Sequence, residues 1–346
     1  MMRVWSVCFL IICAGTLMLV TGCQDLVGEL IGAEPEDVKT INITMVAKSS
    51  TNPVFLSARA GAEAAAKDLS EKYRSINVKI DWRTPKTEDP NGQAQRILNA
   101  VNDGTDAIMV SCSDEDILTA AINEAVDRGV PVMTFDSDAS SSKRFAFYGP
   151  NDVEVGENVM TELVALMGDK GQIAILAGNQ SSPNLQKRVE GVKKAAAKYP
   201  KIEIVDVIYH VETAEKAAAE VLRVNNAYPD LKGWAMVGGW PLFTAELMEK
   251  IDPRKIKIVA VDALPVQLPY VEKGIVPVLL AQPTFRWGKV SVEKIIDKIY
   301  QNKDVPVINP MKLIRVSKEN LGGWARQLRA WGYEDVPRKY LTYVAD

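Results

Sequence analysis

Two aspartates close matching apolar runs. The stretch Val130–Asp138 reads VPVMTFDSD and sets Asp136 after a strand-like segment, and residues 256–263 read IKIVAVDA and set Asp262 in the same place. In open parallel sheets, ligands sit outside the carboxyl ends of the strands. A carboxylate at that end accepts hydroxyl protons, and charge-assisted hydrogen bonds of this kind contribute about 1.5–3 kcal/mol each. If the two blocks face each other, both acids point into the cleft between them. A single Asp at a strand end equally caps a turn or the next helix; recurrence in two blocks favours a shared cleft.

Other chemistry is sparse. The chain has one histidine, His210, which follows a strand and reads as a strand-end or surface residue. No GxxxxGK[ST], HExxH or GxSxG motif occurs. No metal set or cofactor is expected. Two carboxylates also suit a glycosidase, which is the enzymatic alternative.

The elements that must hold these residues alternate. INITMVAK reads as a strand, Asn52-Pro53 as a cap and first helical position, and VFLSARAGAEAAAKDLSEK as a helix. INVKIDW, NGQAQRILNAVNDG, DAIMVSC and DILTAAINEAVDRG continue the order strand, helix, strand, helix. The same grammar restarts near residue 172 with QIAILAG, a helix to Pro200, IEIVDVIY, TAEKAAAEVLRVNNAYP, KGWAMVGG, a helix over PLFTAELMEKI, and IKIVAVDA. Such alternation implies right-handed crossovers and mostly parallel sheets. The expected class is α/β, with two similar Rossmann-like lobes.

The chain has 346 residues and a formal charge of -3, without a basic stripe, which argues against nucleic acid as a partner. Its first residues form an export signal: Met1-Met-Arg3, an apolar run from Val4 to Val20, and VTGC ending at Cys23. The VTGC ending resembles a bacterial lipobox, with Cys23 as the lipidated residue that anchors the protein to a membrane. An uncleaved apolar anchor is the alternative. Residues 24–40 are acidic and aperiodic, as a tether. Cys112 alone remains in the body, so no disulfide is expected within it, and it reads as a small core residue.

NPVFLSARAGAEAAAKDL, DAIMVSCSDEDILTAAINEAVDRGVPVMTFDSD, KRVEGVKKAAAKYP, IKIVAVDALP and LLAQPTFRWGKVSVE together resemble the sugar-binding type I periplasmic binding proteins, over residues 41–316. TFDSD and LPYVEKG resemble the rhamnose and autoinducer-2 receptors more than the ribose receptors. The resemblance implies two lobes joined by a three-segment hinge, and X-Pro steps at Gly149-Pro150, Gln282-Pro283 and Asn309-Pro310 offer the crossings. The implied organisation is a signal over 1–22, a tether over 23–40, lobe 1 over 41–149 plus 283–309, lobe 2 over 150–282 plus 310–316, and an extension over 317–346.

The resemblance also implies a ligand-binding set. Asn52 and Phe55 match an NPFF-like start, with Val54 in place of one aromatic. Lys48 matches a lysine of autoinducer-2 receptors, Asp136 and Asp262 match hydroxyl-binding acids, and Gln282 matches a hydroxyl-binding Gln. Asn184, Arg188 and Trp240 complete the set. Departures are Ser137 where ribose receptors carry Arg, Gln186 at the position of a second Arg, and Gly238-Gly-Trp240 in place of ND. Each residue has a plainer reading. Phe55 suits the core, Lys48 a solvated loop, Asn184 a helix cap, Arg188 a surface pair with Glu190 or another acid, and Trp240 the lobe surface, although its two glycines favour a close approach.

The implied function is a monomeric extracytoplasmic receptor that binds a small sugar and delivers it to an ABC transporter permease. A sensory receptor for a sugar or autoinducer-2 is the alternative. A helix-turn-helix regulator is disfavoured by residues 1–40. Trp324, Trp331, Tyr333, Tyr340 and Tyr343 of the extension pack back on the body or, alternatively, dock a partner.

Overall fold

The computed structural model describes residues 38–344. The signal, Cys23 and the tether up to residue 37 lie outside the described residues. Lys39 and Thr40, expected in the tether, already belong to strand β1 (Lys39–Val46).

Two six-stranded sheets are present. The first has the order β11-β5-β4-β3-β1-β2, built from β1, β2 (Ile76–Trp82), β3 (Ala107–Val110), β4 (Val132–Phe135), β5 (Ala146–Gly149) and β11 (Ile308–Pro310). The second has the order β12-β10-β9-β8-β6-β7, built from β6 (Lys170–Gly178), β7 (Lys201–Tyr209), β8 (Leu231–Met236), β9 (Lys257–Val261), β10 (Val278–Ala281) and β12 (Ile314–Val316). Position by position the orders are the same. All pairs are parallel except β10 with β12. The chain passes between the sheets after β5, after β10 and after β11, and Met311 N–H donates to Gly149 O at 2.8 Å where two passages meet.

Helices cover both faces. Lobe 1 carries α1 (Pro53–Tyr73), α2 (Pro90–Asn102), α3 (Glu115–Asp127) and α8 (Thr284–Ile299). Lobe 2 carries α4 (Asp152–Met167), α5 (Pro183–Ala196), α6 (Ala214–Ala227) and the short α7 (Leu268–Glu272). The helix that opens each lobe crosses the helix that follows an incoming passage, and glycines let the backbones approach. A Cβ at Gly61 would overlap the Phe285 carbonyl, and one at Gly156 the Arg188 carbonyl. The strand cores are apolar and buried in both lobes, as strands covered on both faces require. Cys112 is fully buried, and burial pushes its thiol pKa up.

One expected helix does not form. After Trp240–Leu242, a 3₁₀ turn, the segment PLFTAELMEKI continues as turns, and Glu246 takes a left-handed φ of 72° that breaks the helical run. The extension folds as α9 (Leu321–Ala330) and α10 (Arg338–Leu341). Trp324 Nε1 donates to Ala263 O at 2.7 Å and Tyr340 OH to Glu272 at 2.7 Å, both in lobe 2. Trp331 stacks on Phe285 of lobe 1, with 5.8 Å between centroids and 3° between planes. The extension thus touches both lobes.

Candidate functional site

Asp136 follows β4 and Asp262 follows β9, which hold the same place in their sheets. Both backbones are left-handed, with φ 59° and 71°. Asp tolerates this conformation better than most residues, and its recurrence at matched positions turns the chain in the same way at both strand ends. Asp136 N–H donates to Tyr148 O at 3.1 Å and Asp262 N–H to Leu280 O at 2.9 Å, so the neighbouring strand holds each turn. The second acid of TFDSD is different: Asp138 pairs with Arg144 and accepts from Thr134 Oγ1 at 2.6 Å within lobe 1.

Both carboxylates line one gap between the lobes, with about 30 Å³ open to a water-sized sphere. Small-molecule sites run from about 300 Å³ upward, so the gap is nearly closed in this structure and a guest must part the lobes to enter. Lys48, Asn52, Phe55, Asn184, Arg188, Trp240 and Gln282 line the same gap, so all nine expected residues converge there.

In lobe 2 the polar groups form a chain. Gln282 Nε2 donates to Asp262 Oδ1 at 2.8 Å, and Arg188 donates to Gln282 Oε1 at 2.8 Å, Asp152 Oδ1 at 2.8 Å and Val237 O at 3.1 Å. Arg188 is 2% exposed and does not pair with Glu190 at the surface. Gln186 is exposed, so Arg188 is the arginine that reaches the gap. Burial raises the Asp262 and Asp152 pKa values to about 6 each, with Arg188 opposing in both.

In lobe 1, Asp136 Oδ2 accepts from Ser111 Oγ at 2.7 Å. Lys48 is buried, not solvated, and its Nζ donates across the gap to Asn184 Oδ1 at 2.9 Å. Asn184 Nδ2 in turn donates to Asp136 Oδ1 at 3.4 Å. Asn184 therefore bridges the lobes, and Ser182 occupies the cap position of α5. Asn52 caps α1 with Oδ1 accepting from Val54 N–H at 3.2 Å, which leaves its amide donors available.

The apolar wall combines Phe55 with Trp287, ring centroids 6.1 Å apart, so Phe55 is both core and lining. Trp240 is buried. Its close approach is to its own lobe, because a Cβ at Gly178 or Gly238 would meet its indole. His210 meets the Trp240 ring edge-on at 4.9 Å, and burial lowers its pKa.

Among the lining residues that sequence reasoning missed, Glu212 and Trp287 carry polar groups. Glu212 accepts from Trp240 Nε1 at 3.0 Å, and its pKa is raised by burial and by Glu88 across the cleft. Trp287 carries a buried indole N–H without a partner, an unmet donor at a residue that lines the gap. Among the described residues no group of His, Cys, Asp and Glu is placed to hold a metal, and no helix is long and apolar enough to cross a membrane.

Twin parallel-sheet lobes with a polar gap lined from both sides define a two-lobe α/β protein with an interlobe site. Residues 43–303 match the family described as Periplasmic binding protein domain, and the chain belongs to that family, with the fold of its type I members. It is similar to the D-ribose/D-allose-binding protein of Pseudomonas aeruginosa, 26% identical over 226 residues, 62% of this chain and 67% of that one. It is also similar to the xylitol-binding protein of Mycolicibacterium smegmatis, 26% identical over 173 residues, 50% of this chain and 46% of that one. The match thus spans between about half and two thirds of these curated relatives. A solved ABC transporter solute-binding protein from Burkholderia graminis, in complex with D-arabinose, superposes with a TM-score of 0.73 at 26% identity, over 82% of this chain and 97% of that one.

Proposed function

We propose that the protein is an extracytoplasmic sugar receptor that closes its two lobes around a small neutral sugar and delivers it to an ABC importer. The observation that carries this reading is the pair of buried, left-handed aspartates, Asp136 and Asp262, on one gap. The names of the relatives, which are binding proteins for pentoses, hexoses and a polyol, support the ligand class. In this reading the carboxylates accept sugar hydroxyls, and Lys48, Asn52, Gln282 and Arg188 donate to ring and hydroxyl oxygens. Phe55, Trp240 and Trp287 cover the C–H faces. A ligand that touches both lobes binds the closed form better and so shifts the protein toward it, which is the shape a permease would read. Cys23 would carry the lipid anchor, and the receptor would act as a monomer.

The test is calorimetry of the full chain, purified in a non-glycosidic detergent, against D-ribose, D-allose, D-xylose, D-arabinose and L-rhamnose. At least one should bind with 1:1 stoichiometry. Asp136→Ala and Asp262→Ala should each weaken that binding at least about 100-fold, the loss of two charge-assisted hydrogen bonds, with circular dichroism unchanged. Wild-type affinity in either variant removes that acid from the site, and a chain that binds none of these sugars defeats the reading.

A further inference from the structure

Outside the inner gap the cleft opens into a chamber with about 450 Å³ open to a water-sized sphere. Asn52 and Glu212 line both spaces and so stand between them. The chamber wall comes from both lobes: Ser49, Thr51, Thr87 and Glu88 on one side, Asn179 and Tyr209 on the other. Asn179 Nδ2 donates to Glu88 Oε2 at 2.7 Å across the cleft, and Asn179 N–H donates to Glu212 Oε1 at 3.2 Å. Each carboxylate keeps further acceptor sites after these bonds.

The chemistry of this wall is specific in kind. The Thr87 hydroxyl donates and accepts, Thr51 Oγ1 gives its proton to Lys86 O and accepts, the two carboxyl groups accept, and Tyr209, 39% exposed, lines the chamber and the outer face beside Gln186 and Lys193. An open aromatic face amid hydroxyl and carboxylate groups suits a sugar ring, which has apolar C–H faces and a rim of hydroxyls. Glu88 disfavours phosphate or uronate groups, and Lys48 nearby is already bonded to Asn184.

Resting on the sugar-receptor reading, we infer that the ligand is a neutral disaccharide. Its inner ring lies between Asp136 and Asp262, and its outer ring lies in the mouth chamber against Tyr209, giving hydroxyl protons to Glu88 and Glu212.

Calorimetry of the full chain in the same detergent decides this, with D-xylose, D-glucose and D-galactose beside xylobiose, cellobiose, maltose and lactose. A disaccharide should bind at least ten-fold more tightly than any monosaccharide it contains. Tyr209→Ala and Thr87→Trp should each remove that advantage and leave the monosaccharide Kd within two-fold. Tyr209→Ala trims an exposed ring, so it keeps the test decisive if the bulkier change disturbs folding, which a thermal melt reports. Monosaccharides that bind as tightly as the disaccharides containing them overturn the inference and leave the receptor reading standing, as does a disaccharide advantage that survives Tyr209→Ala. A chain that binds none of these sugars overturns the inference, and one that also binds none of the five monosaccharides tested for the receptor reading overturns both.

Discussion

The two halves of the gap share a backbone device and furnish it differently. In lobe 2, Asp262, Gln282, Arg188, Asp152 and the Val237 carbonyl are linked within one lobe. In lobe 1, Asp136 has Ser111 as its partner from its own lobe, while Lys48 and Asp136 both reach Asn184 of the other lobe. Lobe 2 therefore presents an assembled polar face whatever the lobe separation. The lobe 1 groups complete their bonding only on closure, with each other lobe's Asn184 or with a guest. Under the receptor reading, a ligand lands on lobe 2 and lobe 1 closes over it.

The largest test of this asymmetry is Arg188→Met. It leaves Asp152 buried without its cation, which costs about 3–5 kcal/mol of stability by the measure of broken buried pairs. The urea midpoint should fall accordingly and sugar binding should vanish. Lys48→Met removes a bond across the gap and should cost only about 1–2 kcal/mol, while weakening the ligand. Equal stability losses in the two variants would break the comparison.

The second test is pH. Asp262 and Asp152 have folded pKa values of about 6, above the ordinary carboxylate value of about 3.9. Between these values the folded chain binds more protons than the unfolded one. The stabilising contribution is therefore fully present below about pH 4 and is lost as pH rises through about 6. Ligand affinity should run the opposite way, because hydroxyls are accepted by the ionised Asp262. Urea midpoints and calorimetry at pH 4.5, 6 and 7.5 measure both slopes. Asp262→Asn should flatten part of the stability slope and bind weakly at every pH. Asp136→Asn should shrink the stability slope less than Asp262→Asn does, because the Asp136 charge raises both pKa values only as a secondary cause behind burial.

Trp287→Phe gives a smaller, two-sided effect. It removes a buried N–H that has no partner, so stability should hold within about 1 kcal/mol or rise, while sugar affinity drops about ten-fold. An unchanged affinity would show that this N–H faces away from the guest. The smallest effect expected is that of Trp331→Ala. Loss of its stack on Phe285 should lower stability by about 1 kcal/mol and leave the Kd within two-fold.

Much of this architecture is legible in the amino-acid order. Strand and helix periods repeat in two blocks, and Asp136 and Asp262 stand out because each breaks an apolar run at the same place in its block. Those signals are local, and local patterns survive without coordinates. Glu212 does not stand out, because it lies in the loop before the Thr213 cap of α6, where an acid reads as ordinary helix-start chemistry. Its place between the gap and the chamber depends on Trp240 and Glu88, which only the tertiary fold brings near. Asn184 was ambiguous for the same reason: one residue into α5, it resembles a cap until Lys48 arrives from the other lobe. The segment after Trp240 misled in the other direction, since PLFTAELMEKI has helical composition and the left-handed Glu246 has no sequence signature.

The central claim is that one sugar is held from both sides by matched carboxylates. The most direct measurement is a crystal structure of the chain with its tightest-binding sugar. The account predicts sugar hydroxyls within about 2.5–3.0 Å of both Asp136 and Asp262, with the lobes closed around the ring. A sugar held by one lobe alone, with either carboxylate left without a sugar contact, would contradict it.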